Sequence, residues 1–122
     1  MDQPAPDPPS FPVAHLVHLV ALVGRWGVTS AALLAGSGVA EETLADPRAR
    51  LPVSTMVPIF ERARVLTGEP ALGLHIGLDI RPTLYGNLGF ALLSASNILE
   101  AIDLAIRFSP IVTTSLRLRL RV

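Results

Sequence analysis

Glycine and proline residues divide this chain into short segments, and that division limits the helices it can form. The 122 residues include 9 glycines and 11 prolines. Between them, apolar side chains recur at helical spacing, which predicts one mainly α-helical domain with five or six short helices. We expect these helices at about residues 13–26, 30–35, 53–67, 70–76, 88–93 and 97–108, with a further turn at 40–44.

The first predicted helix carries two histidines. His15 and His18 share one side of it with Arg25, opposite a stripe of apolar residues. Two histidines three residues apart on a helix can share a metal ion, but no third ligand with suitable spacing accompanies them. We therefore interpret them as surface histidines and expect no metal site. The predicted apolar stripe consists of Val13, Leu16, Val17, Val20, Val23 and Trp26.

Capping residues mark other helix boundaries. Thr29 is a candidate N-cap of the second helix and Ser54 a candidate N-cap of the third. Asn97, followed three residues later by Glu100, resembles a capping box and predicts the start of the last helix. Ser109 and Pro110 are predicted to end that helix.

The chain ends on SLRLRLRV, in which leucine and arginine alternate. Alternation with period two predicts a β-strand that begins near Val112, with one face apolar and the other polar. The arginine face is either an ordinary solvated face or a binding site for phosphate or carboxylate groups. The leucine face is a candidate interface. The two faces are Arg117, Arg119 and Arg121, and Leu116, Leu118 and Leu120.

The beginning of the chain is rich in proline, and residues 1–12 are predicted to be a disordered tail ahead of a helical domain at 13–122. Half of all residues are hydrophobic (50%) and only 16% are charged, so part of the surface is expected to be apolar. The longest apolar stretch, Phe11 to Gly24, falls short of the roughly 20 residues that span a bilayer. We therefore expect a cytoplasmic protein with no membrane partner.

Several function classes are disfavoured by the sequence. Basic and acidic residues balance at ten each, which gives no reason to expect direct contact with nucleic acid. Cysteine is absent, so thiol catalysis and thiolate metal sites are excluded. No glycine pattern follows a predicted strand and opens a helix as a nucleotide site requires, and there is no GxSxG motif. We expect no enzyme activity, no catalytic residues and no cofactor.

Two stretches of the chain, read in order, resemble a known family. Residues 32–78 and 84–112 are similar to the N-terminal effector domain of bacterial AraC/XylS-type transcription regulators, in the subgroup with an arabinose-binding type of N-terminus. Individually the shared motifs are short, but their order and spacing cover most of the chain. They are Leu51 and Pro52, Thr67 to Pro70 with Leu72, Gly73, Leu74 and Gly77, then Tyr85, Gly86, Leu88 and Gly89, and finally Glu100 and Ala101.

The resemblance implies the effector-sensing part of such a regulator, truncated before its helix-turn-helix domain. The terminal strand would then begin a β-rich portion that this chain does not contain. The implied partners are a small-molecule effector and the DNA-binding domain of a full-length parent, and a second copy of the chain is a further candidate partner. The candidate effector-binding residues are Tyr85, Arg117, Arg119 and Arg121. The alternative is a small helical docking or oligomerisation module that uses its terminal strand as the interface.

Overall fold

The computed structural model describes residue 5, residues 7–112 and residues 119 and 121. Within these residues the chain is mainly helical, as predicted. Short 3₁₀ turns at Gly24–Trp26, Glu41–Ala45 and Pro82–Tyr85 join several of the longer elements. The six α-helices are α1 (Val13–Val23), α2 (Ser30–Leu34), α3 (Val53–Thr67), α4 (Leu72–Asp79), α5 (Asn87–Leu93) and α6 (Ile98–Val112).

Two of the three predicted N-caps are confirmed, whereas helix α3 begins at Val53 without a side-chain cap, so the prediction of Ser54 as its N-cap is wrong. The Thr29 hydroxyl accepts a hydrogen bond from the backbone N–H of Ala32 at 3.1 Å, which satisfies a free donor of α2. Asn97 Oδ1 accepts from the backbone N–H of Glu100 at 2.9 Å, and the Glu100 carboxylate accepts from the N–H of Ser96 at 2.8 Å. The capping box is therefore confirmed, with the carboxylate bonding one residue earlier than the usual pattern.

Two short strands that the sequence did not reveal pair across the start of the fold. Strand β1 (Ser10–Pro12) runs antiparallel to β2 (Arg50–Pro52), and Phe11 lies opposite Leu51. Strand β1 thus occupies the last three residues of the predicted tail. Each strand leads directly into a helix, so the sheet holds the first turns of α1 and α3 side by side.

The hydrophobic core lies between α1, α2, α3 and the first turn of α4. Helix α1 is apolar almost all the way round, and its buried face differs from the predicted stripe. Leu19 and Leu22 are buried, whereas Val17 is 41% exposed. The buried core residues are Val13, Leu16, Leu19, Leu22, Val23, Leu33, Leu34, Leu51, Ile59, Ala63 and Leu72.

Helix α6 extends beyond its predicted end and includes Pro110. Proline has no backbone N–H, so it cannot bond the carbonyl of Ile106 four residues earlier. The Ser109 hydroxyl donates to that carbonyl instead, at 3.2 Å. The prediction that Ser109 and Pro110 end the helix is therefore wrong, and Val112, where a strand was expected to begin, is helical.

The rest of the predicted terminal strand cannot be compared with the structure. Residues 113–118, 120 and 122 lie outside the described residues, and Arg119 and Arg121 are assigned to no helix or strand. The strand therefore stays a prediction.

Helices α5 and α6 form a second packed unit with the Pro82–Tyr85 turn. Gly89 makes the close approach possible: a Cβ atom there would lie 1.7 Å from the carbonyl oxygen of Pro82. Among the described residues, the buried core cluster includes none from this unit. Its large apolar side chains are instead exposed at Phe90, Leu93, Ile98, Leu99, Phe108 and Ile111.

Candidate functional site

A partly open cavity of about 250 Å³ lies between α1, α3 and α4, beside strand β1. Its walls are apolar and aromatic except for two imidazole rings. Among the described residues that form it, none carries a carboxylate, an ammonium or a guanidinium group. The lining residues are Phe11, His15, His18, Leu19, Met56, Val57, Phe60, Ile76 and Ile80.

Regular helical spacing brings these side chains together. His15, His18 and Leu19 lie within one turn of α1, and Met56 and Phe60 are four residues apart on α3. Ile76 lies on α4, and Ile80 follows that helix directly. The two-stranded sheet places Phe11 at the end of the cavity next to α1. The site is therefore built on packed elements of the core and not on long loops.

His15 lies between two aromatic rings. Its imidazole centroid is 5.5 Å from that of Phe11, in an edge-to-face arrangement, and 5.6 Å from that of Tyr85. Burial, followed by the nearby charges of His18 and Arg50, holds the pKa of His15 below its usual 6.5. At neutral pH this side chain is therefore the uncharged imidazole, with one donor and one acceptor nitrogen.

His18 forms the wall between the cavity and a polar cleft. Its side chain is only 16% exposed, and its Nε2 atom is buried without a hydrogen-bond partner among the described residues. Asp79 Oδ2 lies 4.0 Å from that atom, while Asp79 Oδ1 accepts a hydrogen bond from Arg25 Nη2 at 2.9 Å. That hydrogen bond, more than any other contact, lowers the pKa of the Asp79 carboxyl. The cleft, about 360 Å³, is lined by His18, Arg25, Asp79, Arg81, Thr83 and Leu84.

The interpretation of His15 and His18 as surface residues on a polar helix side is therefore wrong. Both line a cavity, because helix α1 is covered on several sides by α3, α4 and the Glu41–Ala45 turn. A signal for this was present in the sequence: the two histidines stand in an otherwise apolar helix, where a polar side chain has few exposed positions. Within the described residues, no group of three or more metal-ligating side chains is found, and no helix is long and apolar enough to cross a membrane.

Of the candidate effector-binding residues, Tyr85 lies close to the cavity through its ring contact with His15. Burial raises the pKa of its phenol above the usual 10.0. Arg119 and Arg121 are exposed. Arg117 and the candidate interface residues Leu116, Leu118 and Leu120 lie outside the described residues.

Tyr85 also reaches a second apolar groove on the far side of its turn. This groove, about 390 Å³, lies between the Pro82–Tyr85 turn, α5 and α6. Tyr85 therefore stands between the cavity and the exposed helical pair. The groove is lined by Tyr85, Asn87, Leu88, Ala91, Phe108 and Ile111.

Comparison with known proteins connects this architecture to a family. The chain is 35% identical over 109 residues to the ornithine utilization regulator of Pseudomonas aeruginosa, a match that covers 89% of this chain and 32% of that protein. The chain thus spans about a third of the length of that curated relative. No solved structure gives a significant match. Residues 27–122 match the model of the arabinose-binding domain at the N-terminus of AraC transcription regulators. The chain therefore belongs to this family of N-terminal regulatory domains from AraC transcription regulators, which are not enzymes.

Proposed function

We propose that the chain is an effector-sensing domain and that its effector binds in the cavity between α1, α3 and α4. The observation that carries the proposal is the cavity itself, a mainly apolar space of about 250 Å³ with two imidazoles in its wall. Concave, mainly apolar sites with a few polar groups are typical of small-molecule binding. In a regulatory domain, such a site supports sensing.

The contacts of Tyr85 suggest how binding would reach the rest of a regulator. Tyr85 touches His15 at the cavity and lines the groove beside α5 and α6. A ligand that moves His15 would shift Tyr85, and the close contact of Gly89 with Pro82 would pass that shift to α5. For a ligand to act in this way, it must bind one arrangement of these elements more tightly than another.

Methionine methyl groups provide a direct test of the site. The chain has two methionines, Met1 and Met56, and Met56 lines the cavity. We would label the methionine methyls with ¹³C, assign them with Met56→Leu, and add four probes: 2-phenylethanol, phenylacetate, 2-phenylethylamine and ornithine. Ornithine is included because the relative's name contains it. At least one probe is expected to shift the Met56 signal.

Two variants on α3 control this experiment. Val57 lines the cavity and is 54% exposed, whereas Val65 is 77% exposed and lines none of the cavities described above. Val57→Trp is expected to fill the cavity and abolish the shift, and Val65→Trp to leave it unchanged. If no probe shifts Met56, or if the shift persists in Val57→Trp, the cavity is not the effector site.

We further propose that the exposed apolar face of α5 and α6 is a contact surface. Leu93, Ile98 and Ile111 lie on this unit and are each more than half exposed, and large exposed apolar side chains are typical of association sites. A second copy of the chain, or the DNA-binding domain of a longer regulator, would cover it. A second candidate interface is the predicted leucine face at Leu116, Leu118 and Leu120, and the neighbouring arginines stay candidates for binding phosphate or carboxylate groups outside the cavity.

Light scattering on the purified chain tests the contact surface. A defined dimer that becomes monomeric in Leu93→Asp or in Leu118→Asp supports self-association through α5 and α6 or through the terminal segment, respectively. Val65→Asp is the matched control, since Val65 is also exposed but lies on α3. A chain that is monomeric at all concentrations would contradict self-association.

A further inference from the structure

The composition of the cavity wall carries a more specific inference, which rests on the proposed function. We propose that the cavity selects an uncharged ligand with a single aromatic ring and one short hydrogen-bonding substituent. Three features support this class: the absence of carboxylate, ammonium and guanidinium groups from the wall, the aromatic lining, and the free hydrogen-bonding capacity of His15.

The lack of carboxylate, ammonium and guanidinium groups in the wall is the strongest of these three features. A carboxylate or an ammonium group that enters an apolar cavity loses its hydration and must find a partner of opposite charge. Among the described residues that line this cavity, none carries a carboxylate, an ammonium or a guanidinium group to serve as that partner. The nearby charged groups are engaged elsewhere: Arg50 donates to Ser10, and Asp79 accepts from Arg25.

The two ions are not equally disfavoured. Arg50 acts electrostatically on His15 at the cavity, so its positive charge partly offsets the cost of a nearby anion. Asp79 lies 4.0 Å from His18 Nε2, but its charge is already balanced by Arg25. A cation is therefore expected to bind more weakly than an anion of the same shape, and both more weakly than the neutral molecule.

The size and lining of the cavity favour a single aromatic ring. A cavity of about 150 Å³ with apolar walls is sufficient for benzene. The cavity here is larger, about 250 Å³, so it has room for a ring with a short substituent. Phe11 and Phe60 provide ring surface, and the Met56 thioether makes favourable contacts with aromatic edges.

His15 supplies the hydrogen bond. Its imidazole makes ring contacts with Phe11 and Tyr85, but it forms no hydrogen bond to any residue that the structure describes. A neutral imidazole can donate to a ligand oxygen or accept from a ligand hydroxyl. A hydroxyl group satisfies either nitrogen without bringing a charge into the cavity.

Three probes that share one body test the charge selectivity. 2-Phenylethanol, phenylacetate and 2-phenylethylamine have nearly the same shape and differ in charge at pH 7.5. We would titrate each against the Met56 methyl signal and against heat release. 2-Phenylethanol is expected to bind at least about tenfold more tightly than either ion, with phenylacetate ahead of 2-phenylethylamine. If either ion shifts Met56 and binds as tightly as 2-phenylethanol, the inference is wrong while the effector site stands. If no probe shifts Met56, the site itself fails and the inference fails with it.

A variant that adds a charge to the wall makes the test independent of absolute affinity. Val57→Glu places a carboxylate at the cavity on a half-exposed position, so folding is expected to be retained. This variant should raise the affinity for 2-phenylethylamine relative to the affinity for 2-phenylethanol by about twofold to fivefold, the range expected of a partly exposed ion pair. Val65→Glu, on the same helix but away from the cavity, should leave the ratio unchanged. An unchanged ratio in Val57→Glu would overturn the inference.

Discussion

Replacement of Gly89 by alanine tests the link between the cavity and the helical pair. A Cβ atom at this position would lie 1.7 Å from the oxygen and 2.5 Å from the carbon of the Pro82 carbonyl. Both neighbours are backbone atoms, so they cannot turn aside as a flexible side chain would. To restore an ordinary contact, the Pro82–Tyr85 turn and α5 must separate by about 1.7 Å or more.

The expected energy of this change has two opposing parts. Alanine is favoured over glycine within a helix by about 1 kcal/mol. Overpacking against backbone costs about 1–3 kcal/mol, and the cost falls on the contact between the turn and α5. We expect a net destabilisation of up to about 2 kcal/mol for this unit, with little change in the core, because among the described residues the core cluster includes none from α5.

Tyr85 reports the displacement directly, because it is the only tyrosine in the chain. Burial raises the pKa of its phenol above 10.0 in the native protein. Titration of the phenolate absorbance near 295 nm should show that pKa fall back toward 10.0 in Gly89→Ala as Tyr85 moves away from His15. Gly73→Ala is the matched control, since its Cβ would meet Phe60 at an ordinary 3.9 Å. An unchanged Tyr85 titration in Gly89→Ala would refute the proposed link.

Three further predictions concern stability. The lowered pKa of His15 means that the folded state binds fewer protons than the unfolded state, so the contribution of His15 to stability is fully present above pH 6.5 and is lost as the pH falls below it. In His15→Leu, the loss of stability against urea on lowering the pH below 6.5 should therefore be smaller. Leu16→Ala should cost about 2–5 kcal/mol in urea unfolding followed by Trp26 fluorescence, and Val65→Ala less than about 0.5 kcal/mol, because Leu16 is fully buried and Val65 is exposed. Ser109→Ala should cost about 1 kcal/mol and fray the end of α6, seen as faster amide hydrogen exchange, because the Ile106 carbonyl loses its bond from the Ser109 hydroxyl. The first expectation is contradicted if the stability of the native protein does not change with pH below 6.5. The second is contradicted if Leu16→Ala and Val65→Ala lose equal stability, and the third if amide hydrogen exchange in α6 is unchanged in Ser109→Ala.

The helical character and most helix boundaries could be predicted from local sequence. Gly27 and Gly68 adopt positive φ values of 77° and 65° where their helices end, a conformation that glycine tolerates and other residues rarely adopt. Thr29 and Asn97 cap their helices through local hydrogen bonds. Such features depend on residues only a few positions apart, so a sequence displays them directly.

The features that were missed depend on distant residues or on unusual local compensation. Strands β1 and β2 have three residues each and are about 40 residues apart, so neither has a recognisable pattern alone. The buried face of α1 could not be chosen from periodicity because nearly every side of that helix is apolar. Pro110 predicts the end of a helix, because the sequence does not show that the Ser109 hydroxyl donates to the Ile106 carbonyl in place of the missing backbone N–H.

The most direct test of the effector site is the position of a bound probe. We would measure intermolecular nuclear Overhauser effects between the aromatic protons of 2-phenylethanol and the methyl groups of the protein. Contacts to Met56, Val57 and Ile76 are the predicted result, because these side chains line the cavity between α1, α3 and α4. Contacts confined to Leu88 and Ile111 would place the probe in the groove beside α5 and α6 and would contradict the account.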